Sequence, residues 1–426
     1  MGFSSWAARP PMGWNSWDCY GAAVREDEVR ANAEYMAARM AAFGWEYVTV
    51  DIQWYESGAE SSRYRKYVPL EMDGFSRLLP APNRFPSAAG GAGFGPLAAY
   101  IHGLGLKFGI HIMRGIPRQA VHAAAPILGS PASARDVAHP NSICPWNTDM
   151  YGLDPEAEGS QAYYDSIFGL YAEWGVDLVK VDDICASRLY GSHQAEIAMV
   201  RRAIDRCGRP MVLSLSPGPA PLDFAAAFAS RANMWRITDD FWDKWELLAD
   251  MFDRCERWYP YARDGRWPDC DMLPLGRIGI RSVDGGAADR LTRFTRDEQR
   301  TMLSLWAIVR SPLIMGGELR DNDEWTLSLL TNPEVIAVDQ EGSLPRLVRR
   351  DRDAAVWASD APGGGLYLGL FNLGGAPREV GASWEELGLS GPSSCRDLWA
   401  RAETGMATAQ IGRKLPPHGS ALLSLR

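Results

Sequence analysis

Short apolar runs rich in β-branched residues alternate with longer segments of helical spacing through the first three quarters of the chain. The apolar runs predict eight strands, at Met12–Trp17, Tyr47–Trp54, Leu106–Met113, Asp177–Ile184, Pro210–Ser216, Met234–Asp240, Asp269–Pro274 and Pro312–Gly316. Helices are predicted between them, for example at Glu26–Phe43, Gly159–Trp174 and Asp297–Arg310. Eight strand-helix units predict an α/β fold, a closed parallel (β/α)8 TIM barrel over residues 1–340.

The pattern changes after about residue 341. Segments such as VWASD, GLYLGLFNL and SALLSL are short, alternate apolar with polar residues, and are separated by Gly, Pro and Asp turns. Alternation with a period of two is typical of antiparallel strands that bury one face. The sequence therefore predicts a second domain, a C-terminal antiparallel β-sandwich over residues 341–426.

Two long inserts interrupt the barrel pattern. One, Ser57–Gly95, follows the second predicted strand, and the other runs from about Gly115 to Gly175 after the third. A long loop at the C-terminal end of a barrel strand usually builds a substrate site, and we expect this of the second insert. The glycines of the first insert do not precede Lys-Ser/Thr, so we expect an ordinary loop there and no phosphate site.

Composition narrows the classes of function. The 426 residues include 44 Lys and Arg against 53 Asp and Glu, a net charge of −9 without a dense basic run. This balance argues against nucleic acid or an anionic membrane surface as a partner. The 17 Trp residues are numerous enough to pack against sugars as well as fill a core. The sequence leaves a homo-oligomer open.

No segment predicts export, a membrane span or a bound cofactor. The N-terminus lacks a basic start followed by an apolar stretch, and no apolar run reaches 18 residues. We therefore expect a cytoplasmic protein, an expectation that a leader removed from the chain would change. The seven Cys show no CxxC spacing and the six His no HxH or HExxH spacing, so we expect neither a disulfide framework nor a metal site.

Paired charges mark two predicted strand ends. Residues late in a parallel barrel strand reach its C-terminal face, and residues two apart point the same way. Lys180 and Asp182 share one side of the fourth strand, so the lysine would hold the carboxylate ionised. Arg236 and Asp240 share a parity on the sixth strand. The two acids are therefore predicted to face one cavity.

Further acids and aromatic residues are predicted around the same cavity. Asp51 closes the second strand, and Asp269 and Asp271 form a same-side pair in WPDCDML. Nearby indoles are those of Trp14, Trp17, Trp54 and Trp242. Carboxylates accept hydrogen bonds from hydroxyls, and an indole face packs against the C–H face of a sugar. Because two carboxylates across a glycosidic bond are the minimum for its hydrolysis, a carbohydrate or glycoside substrate is predicted.

Three other residues receive separate predictions. Asp183 and Asp239 have the opposite parity to their acidic neighbours, so we expect structural roles for them. His111 ends the third strand, and we expect a hydrogen-bonding residue of the pocket there. The charges of Lys180 and Arg236 already supply a positive counterpart to the acids, which argues against a required metal ion.

Eight motifs resemble, in order, those of the α-galactosidase family, glycoside hydrolase family 27, which also contains α-N-acetylgalactosaminidases. They are PPMGWNSWDCYG, YVTVDIQW, GLKFGIHI, WGVDLVKVDD, MWRITDD, WPDCDML, SLWAIVRSPLIMGGEL and NPEVIAVDQE, spread over about 330 residues. The resemblance implies a (β/α)8 barrel followed by a β-sandwich. It also implies a retaining exo-glycosidase that hydrolyses terminal α-D-galactosyl residues through a covalent glycosyl-enzyme intermediate.

The family roles transfer to matching positions of this chain. Asp182 matches the nucleophile, and Asp240 matches the acid/base residue. The resemblance implies substrate binding by Trp17, Asp51, His111, Lys180, Ser216, Arg236 and Asp271. Among these, Trp17 would stack on the sugar ring, and the charged residues would hold hydroxyls.

The chain departs from the family pattern at three places. The family usually has Asp-Asp after the second strand, binding the galactose 4- and 6-hydroxyls, but here Asp51 is followed by Ile52. His111 stands where a tyrosine is expected on the third strand. SLSPG replaces a bulky CEW segment at the fifth strand, so Ser216 lies where the N-acetylgalactosaminidase pattern has a serine.

These departures leave alternatives open. α-N-Acetylgalactosaminidase is the first, because a serine leaves room at the sugar's 2-position. β-L-Arabinopyranosidase is the second, because its pyranose has the hydroxyl layout of galactose without the 6-hydroxymethyl group and so tolerates Ile52. An alternative from another class is a non-catalytic sugar-binding protein.

Overall fold

The computed structural model describes residues 2–61, 63–282 and 288–426. Its central sheet has eight parallel strands: β1 Met12–Asn15, β2 Tyr47–Val50, β3 Lys107–Met113, β4 Leu178–Asp182, β5 Val212–Leu215, β6 Met234–Arg236, β7 Trp267–Asp269 and β8 Leu313–Met315. Neighbours follow chain order from β1 to β7, and β8 pairs with β1. A parallel bridge between Leu273 and Met315 closes the sheet, which confirms the predicted barrel.

Helices connect the barrel strands. They span Trp17–Tyr20, Glu26–Arg39, Gly95–Gly103, Arg118–Ala123, Ala134–Val137, Ser160–Trp174, Gln194–Arg206, Ala225–Arg231, Trp245–Trp258, Arg296–Val309, Glu324–Leu330 and Pro333–Glu341. Three acidic residues in the first turn favour the start of Glu26–Arg39, and a capping box at Thr295 begins Arg296–Val309. Within the described part of the chain, no helix combines the length and the apolar character that a membrane crossing needs.

Several strands end earlier than predicted, the second for example at Val50 and not at Trp54, and the differences in the seventh and sixth strands change the setting of site residues. The sequence places the seventh strand at Asp269–Pro274, whereas β7 spans Trp267–Asp269. The chain leaves the sheet there because Asp271 adopts a left-handed φ of 77°, which extended backbone does not contain. Likewise β6 ends at Arg236, four residues before its predicted end at Asp240. Asp240 and Asp271 therefore lie in loops at the mouth of the barrel.

The long insert after β3 has secondary structure of its own. Strands Ile116–Pro117, Ala138–Ile143 and Met150–Leu153 form a three-stranded antiparallel sheet. After β7, Arg277–Ile278 pairs with Arg290–Leu291. Both small sheets therefore belong to segments that follow the C-terminal ends of barrel strands.

Eight antiparallel strands follow the barrel. They are β9 Ser343–Arg350, β10 Ala354–Asp360, β11 Leu366–Asn372, β12 Arg378–Ser383, β13 Ser393–Asp397, β14 Ala402–Ala407, β15 Gln410–Leu415 and β16 Ser420–Leu425, with a short helix at Trp384–Leu387. Six form one sheet in the order β9-β10-β11-β16-β13-β14, and β12 pairs with β15 in another. Leu368 and Leu423 of the first sheet share an apolar cluster with Val380 and Ile411 of the second, as predicted for a sandwich. The domain boundary at residue 341 stays a prediction.

Candidate active site

A cleft of about 460 Å³ opens at the C-terminal ends of the barrel strands. The predicted site residues in its wall are Trp17, Asp51, Lys180, Asp182 and Asp240. The other lining residues are Ile52, Tyr64, Trp146, Ala186, Arg188, Pro217, Gly218, Asp239 and Met272. This face of a parallel barrel carries the active site in characterised enzymes of the fold. Asp51, Asp182 and Asp240 thus come together in one cavity as predicted, whereas Asp269 and Asp271 line a separate small cavity that shares Lys180 and Met272 with the cleft.

Asp182 is the last residue of β4, and two donors hold its carboxylate. His111 Nε2 donates a hydrogen bond to Oδ2 at 3.0 Å, and the backbone N–H of Asp183 donates to Oδ1 at 2.6 Å. Burial raises the pKa of Asp182, but the bond and charge of His111, the charge of Lys180 and the Asp183 N–H together bring it below its usual value. Asp182 is therefore ionised at neutral pH.

The buried Asp51 and the partly buried Lys180 form an ion pair beside Asp182. Lys180 Nζ lies 3.0 Å from Asp51 Oδ2, which also accepts a hydrogen bond from Asn15 Nδ2 at 2.8 Å. Burial raises the pKa of Asp51, but the charge of Lys180 and the hydrogen bonds outweigh it and bring the pKa well below its ordinary value. Burial lowers the pKa of Lys180, whereas the Asp51 and Asp182 carboxylates raise it above its usual value. Both side chains stay charged at neutral pH.

Arg236, the last residue of β6, joins two further acids. Its Nη2 lies 3.1 Å from Asp240 Oδ1, and its Nη1 lies 3.0 Å from Asp271 Oδ1. Asp271 Oδ2 accepts a hydrogen bond from the backbone N–H of Phe241 at 2.8 Å. Burial raises the pKa of Asp271; Arg236 opposes the rise, and Asp240 and Asp269 add to it. The Asp240 side chain is 49% exposed, so this acid stands at the open side of the cleft.

Four predicted site residues lie outside the lining of the cleft, namely Arg236, Asp271, His111 and Ser216. His111 is buried and contacts the cleft through Asp182. Ser216, directly after β5, is buried, and its carbonyl accepts the backbone N–H groups of Ile184 and Cys185. The following residues, Pro217 and Gly218, form the wall on this side. A contact of Ser216 with the sugar's 2-position stays a prediction.

Ile52 makes one wall of the cleft apolar. Its side chain is 2% exposed and lines the cavity. The next residue, Gln53, has a φ of 59° and donates from Nε2 to Asp149 Oδ2 at 2.9 Å. Asp149 Oδ2 also accepts hydrogen bonds from Tyr55 and Asn147. The polar groups of the long insert thus bind Gln53 and Tyr55, which leaves isoleucine facing the cavity where the family pattern has an aspartate.

Sequence reasoning missed Tyr64 and Trp146, one from each long insert. The ring of Tyr64 packs on Trp17, with centroids 6.2 Å apart and planes 12° apart. Trp146 contacts Tyr64 with a centroid distance of 5.3 Å. The signal in the sequence was their position in long loops after barrel strands, which identifies a region but no residue.

Three tryptophans predicted at the sugar are core residues instead. Trp14 and Trp54 are fully buried, and their indole N–H groups donate to the carbonyls of Gly317 and His111. Trp242 is 3% exposed and packs in a small apolar cluster. Asp239 lines the cleft, and its Oδ1 accepts the backbone N–H of Asp240 at 3.0 Å, so the structural role expected for it stays a prediction. The expected structural role of Asp183 agrees with its buried ion pair to Arg114 at 3.0 Å.

Two family models match the chain. The model described as "Alpha galactosidase A" matches residues 155–341, and "Alpha galactosidase C-terminal beta sandwich domain" matches residues 351–425. The crystal structure of a family 27 β-L-arabinopyranosidase from Geobacillus stearothermophilus is 65% identical, with a TM-score of 0.99 over 100% of this chain and 98% of that chain. The chain belongs to glycoside hydrolase family 27. It is therefore a glycosidase of the α-galactosidase type, which acts on a carbohydrate substrate.

Other family 27 relatives are similar over nearly the whole chain. A Bacillus halodurans structure, provisionally assigned as an α-N-acetylgalactosaminidase, is 57% identical with a TM-score of 0.89, covering 98% of this chain and 97% of that chain. Alpha-galactosidase 2 of Arabidopsis thaliana is 27% identical over 424 residues, which are 98% of this chain and 90% of the relative. Membership of the family confirms the expected enzyme class, a glycosidase of the α-galactosidase type.

Proposed function

We propose that the enzyme releases terminal β-L-arabinopyranosyl residues, with α-D-galactosides as slower substrates of the same site. The observation that carries the proposal is the apolar wall at Ile52, which lines the cleft next to Asp51. β-L-Arabinopyranose has the hydroxyl layout of α-D-galactopyranose but only hydrogen in place of the 6-hydroxymethyl group. The 65% identity to a β-L-arabinopyranosidase supports the same choice.

The preference follows from the lack of a hydrogen-bonding group on the side chain of Ile52. A galactoside would bring its 6-hydroxyl against a buried isoleucine side chain, which offers neither a donor nor an acceptor. A buried polar group without a partner costs about 1–3 kcal/mol, a factor of roughly 5 to 150 in kcat/KM. An arabinopyranoside avoids this cost because its C5 presents only C–H groups to the same wall.

Asp182 and Asp240 carry the chemistry in this proposal. Asp182 attacks the anomeric carbon while Asp240 donates a proton to the glycosidic oxygen, so that the aglycone leaves as an alcohol and a covalent glycosyl ester forms. Asp240 then takes a proton from water as the water attacks the same carbon, which releases the sugar with retained configuration. Retention requires carboxyl groups about 5–5.5 Å apart.

The surrounding charges orient the sugar. Asp51, Lys180 and Arg236 hold hydroxyls, while the face of Trp17 packs against the C–H face of the ring. Support comes from the ion pairs, 3.0 Å for Lys180 to Asp51 and 3.1 Å for Arg236 to Asp240, which fix these groups before substrate arrives. Such preorganised charges cost no rearrangement during the reaction.

A comparison of three aryl glycosides tests the proposed substrate. The wild type should hydrolyse 4-nitrophenyl β-L-arabinopyranoside with a kcat/KM about tenfold or more above that of the α-D-galactopyranoside. Replacing Ile52 with Asp supplies a partner for the 6-hydroxyl. The ratio of kcat/KM for the arabinopyranoside to kcat/KM for the galactopyranoside should therefore fall by at least about tenfold.

The matched control is Ile52→Val, which keeps the wall apolar and should keep the ratio. Because a ratio between substrates does not depend on the amount of folded enzyme, partial misfolding of Ile52→Asp does not affect the result. A wild-type preference for the galactoside, or an unchanged ratio in Ile52→Asp, would contradict the proposal. Fastest hydrolysis of the α-N-acetylgalactosaminide would instead favour the assignment based on Ser216.

A further inference from the structure

Asp183, the residue after Asp182, has an uncommon backbone conformation. Its φ is 55°, in the left-handed region that residues other than glycine rarely adopt and that aspartate and asparagine tolerate best. In this conformation the backbone N–H of Asp183 donates to Asp182 Oδ1 at 2.6 Å. The orientation of the Asp182 carboxylate therefore depends on the backbone of its neighbour.

Arg114, the residue after β3, binds this segment at three points. Its backbone N–H donates to the carbonyl of Asp182 at 3.0 Å. Its Nε donates to the carbonyl of Asp183 at 2.6 Å, and its Nη2 lies 3.0 Å from Asp183 Oδ2. Both Arg114 and Asp183 are buried, where such bonds are stronger than in water. One arginine thus fixes both the backbone and the side chain of Asp183.

The remaining guanidinium nitrogen connects Arg114 to neighbouring elements. Its Nη1 lies 3.1 Å from Glu196 Oε1 and donates to Ser142 Oγ, also at 3.1 Å. Glu196 Oε2 accepts a hydrogen bond from the hydroxyl of Tyr164 at 2.7 Å, and that hydroxyl accepts the backbone N–H of Gly115 at 3.0 Å. These contacts hold the guanidinium in place before substrate arrives.

The cluster acts on the reaction through Asp182. Arg114, Asp183 and Glu196 do not line the described part of the cleft, so contact with the sugar does not explain them. We propose that Arg114 and Asp183 are positioning residues, which hold the backbone N–H that orients the carboxylate of Asp182 toward the anomeric carbon. The proposal rests on the proposed role of Asp182 as the nucleophile, because only an attacking oxygen needs this orientation.

Two substitutions separate the backbone conformation of Asp183 from its ion pair. Asp183→Gly and Asp183→Val both remove the carboxylate that Arg114 binds. Glycine adopts a left-handed φ freely, whereas the β-branch of valine resists it. On 4-nitrophenyl β-L-arabinopyranoside, kcat per folded molecule should fall about 100-fold in Asp183→Val and stay within about tenfold of wild type in Asp183→Gly, with little change in KM.

The acidic limb of the kcat/KM profile provides a readout that a purely structural role would not move. The N–H donor favours the charged form of Asp182, so its loss raises the pKa of this carboxyl and moves the limb to higher pH. Both Asp183→Gly and Asp183→Val remove the charge of Asp183, so the charge effect cancels between them. The limb of Asp183→Val should therefore lie at least about 0.5 pH unit above that of Asp183→Gly. In the described part of the chain, the other titratable groups around Asp182, which no variant alters, are His111, the Lys180–Asp51 pair, Cys144 and Cys185.

Two milder variants keep the proposal testable if Asp183→Val does not fold. Asp183→Asn keeps an oxygen for Arg114 and tolerates a left-handed φ, so its kcat should stay within about tenfold of wild type. Arg114→Lys keeps the positive charge next to Asp183 and Glu196, but one ammonium group cannot replace the planar fork of donors. Its kcat should fall about tenfold or more, with little change in KM and an acidic limb at higher pH.

Arg310→Val is the matched control for burial and backbone strain. Arg310 is also buried, has a left-handed φ of 61°, and donates from Nε to a carbonyl, that of Asp339 at 2.9 Å. It precedes β8 and so lies at the end of the barrel strands opposite the cleft. The variant should have a lower melting temperature, but its acidic limb should stay where the wild type has it.

The proposal is overturned if Asp183→Gly and Asp183→Val lose the same kcat and share one acidic limb, because the ion pair alone would then explain the loss. Wild-type kcat with an unmoved limb in Asp183→Val overturns it as well, as does the same result in Arg114→Lys if the valine variant does not fold. Failure of the proposed nucleophile is a separate result, since Asp182→Asn would then keep its turnover whatever the variants at Asp183 show.

Discussion

Replacing Asp182 with Asn abolishes turnover of every glycoside, with a loss in kcat of at least about 10³-fold. The amide cannot form the glycosyl ester, because its nitrogen and neutral oxygen are far poorer nucleophiles than the carboxylate. The change keeps the size of the side chain and an oxygen that accepts the Asp183 N–H. We therefore expect the variant to fold and to bind arabinose, as measured by calorimetry, while steady-state kinetics show no turnover.

Asp183→Asn is the control for this prediction. It makes the same chemical change one residue away, on a carboxylate that is buried against Arg114 and does not line the described part of the cleft. A large loss at Asp182 with a small loss at Asp183 locates the chemistry in the first of the two acids. Wild-type activity of Asp182→Asn would remove Asp182 from the mechanism.

Replacing Asp240 with Asn should give a loss that depends on the leaving group. General acid catalysis contributes about 10²–10⁴-fold, so disaccharides should lose about that much in kcat/KM. Arabinopyranosyl fluoride, whose leaving group needs little protonation, should lose far less in the first step. Steady-state kinetics on both substrates check the difference, and the fluoride serves as the internal control for folding.

Azide should restore the turnover of arabinopyranosyl fluoride by Asp240→Asn. The second step then lacks a base to activate water, but azide needs none and attacks the glycosyl-enzyme directly. The product is expected to be β-L-arabinopyranosyl azide, with the configuration of the substrate, as identified by NMR. Equal losses for both leaving groups, together with no azide adduct, would exclude Asp240 as the acid/base residue.

The sequence predicted the fold and the inner site because both depend on periodic patterns. Apolar runs between helical segments marked all eight barrel strands. Because β4 is extended through Asp182, the parity argument correctly placed Lys180 and Asp182 on the same side of the strand, facing the cleft. The same argument was incomplete for Asp240, because β6 ends at Arg236 and a loop carries the acid the rest of the way. Arg236 nonetheless reaches Asp240, at 3.1 Å.

Aromatic residues were harder to predict for physical reasons. An indole near a strand end can face the cleft or the core, and Trp14 and Trp54 are core residues whose N–H groups bond to backbone carbonyls. Tyr64 and Trp146 lie in irregular loops, where no periodicity indicates which side chains point inward. Conversely, the apolar wall was visible in the sequence as Ile52 following Asp51, because the family motif fixes that position.

Trapping of the glycosyl-enzyme tests the central claim most directly. A fluorinated glycosyl fluoride with the arabinopyranose layout forms the ester with Asp182 but hydrolyses slowly, since fluorine destabilises the positive charge of the transition state. After proteolysis, mass spectrometry should find the sugar on the peptide that contains Asp182, and Asp182→Asn should remain unlabelled. A label on another residue, or no adduct together with a product of inverted configuration, would contradict the account.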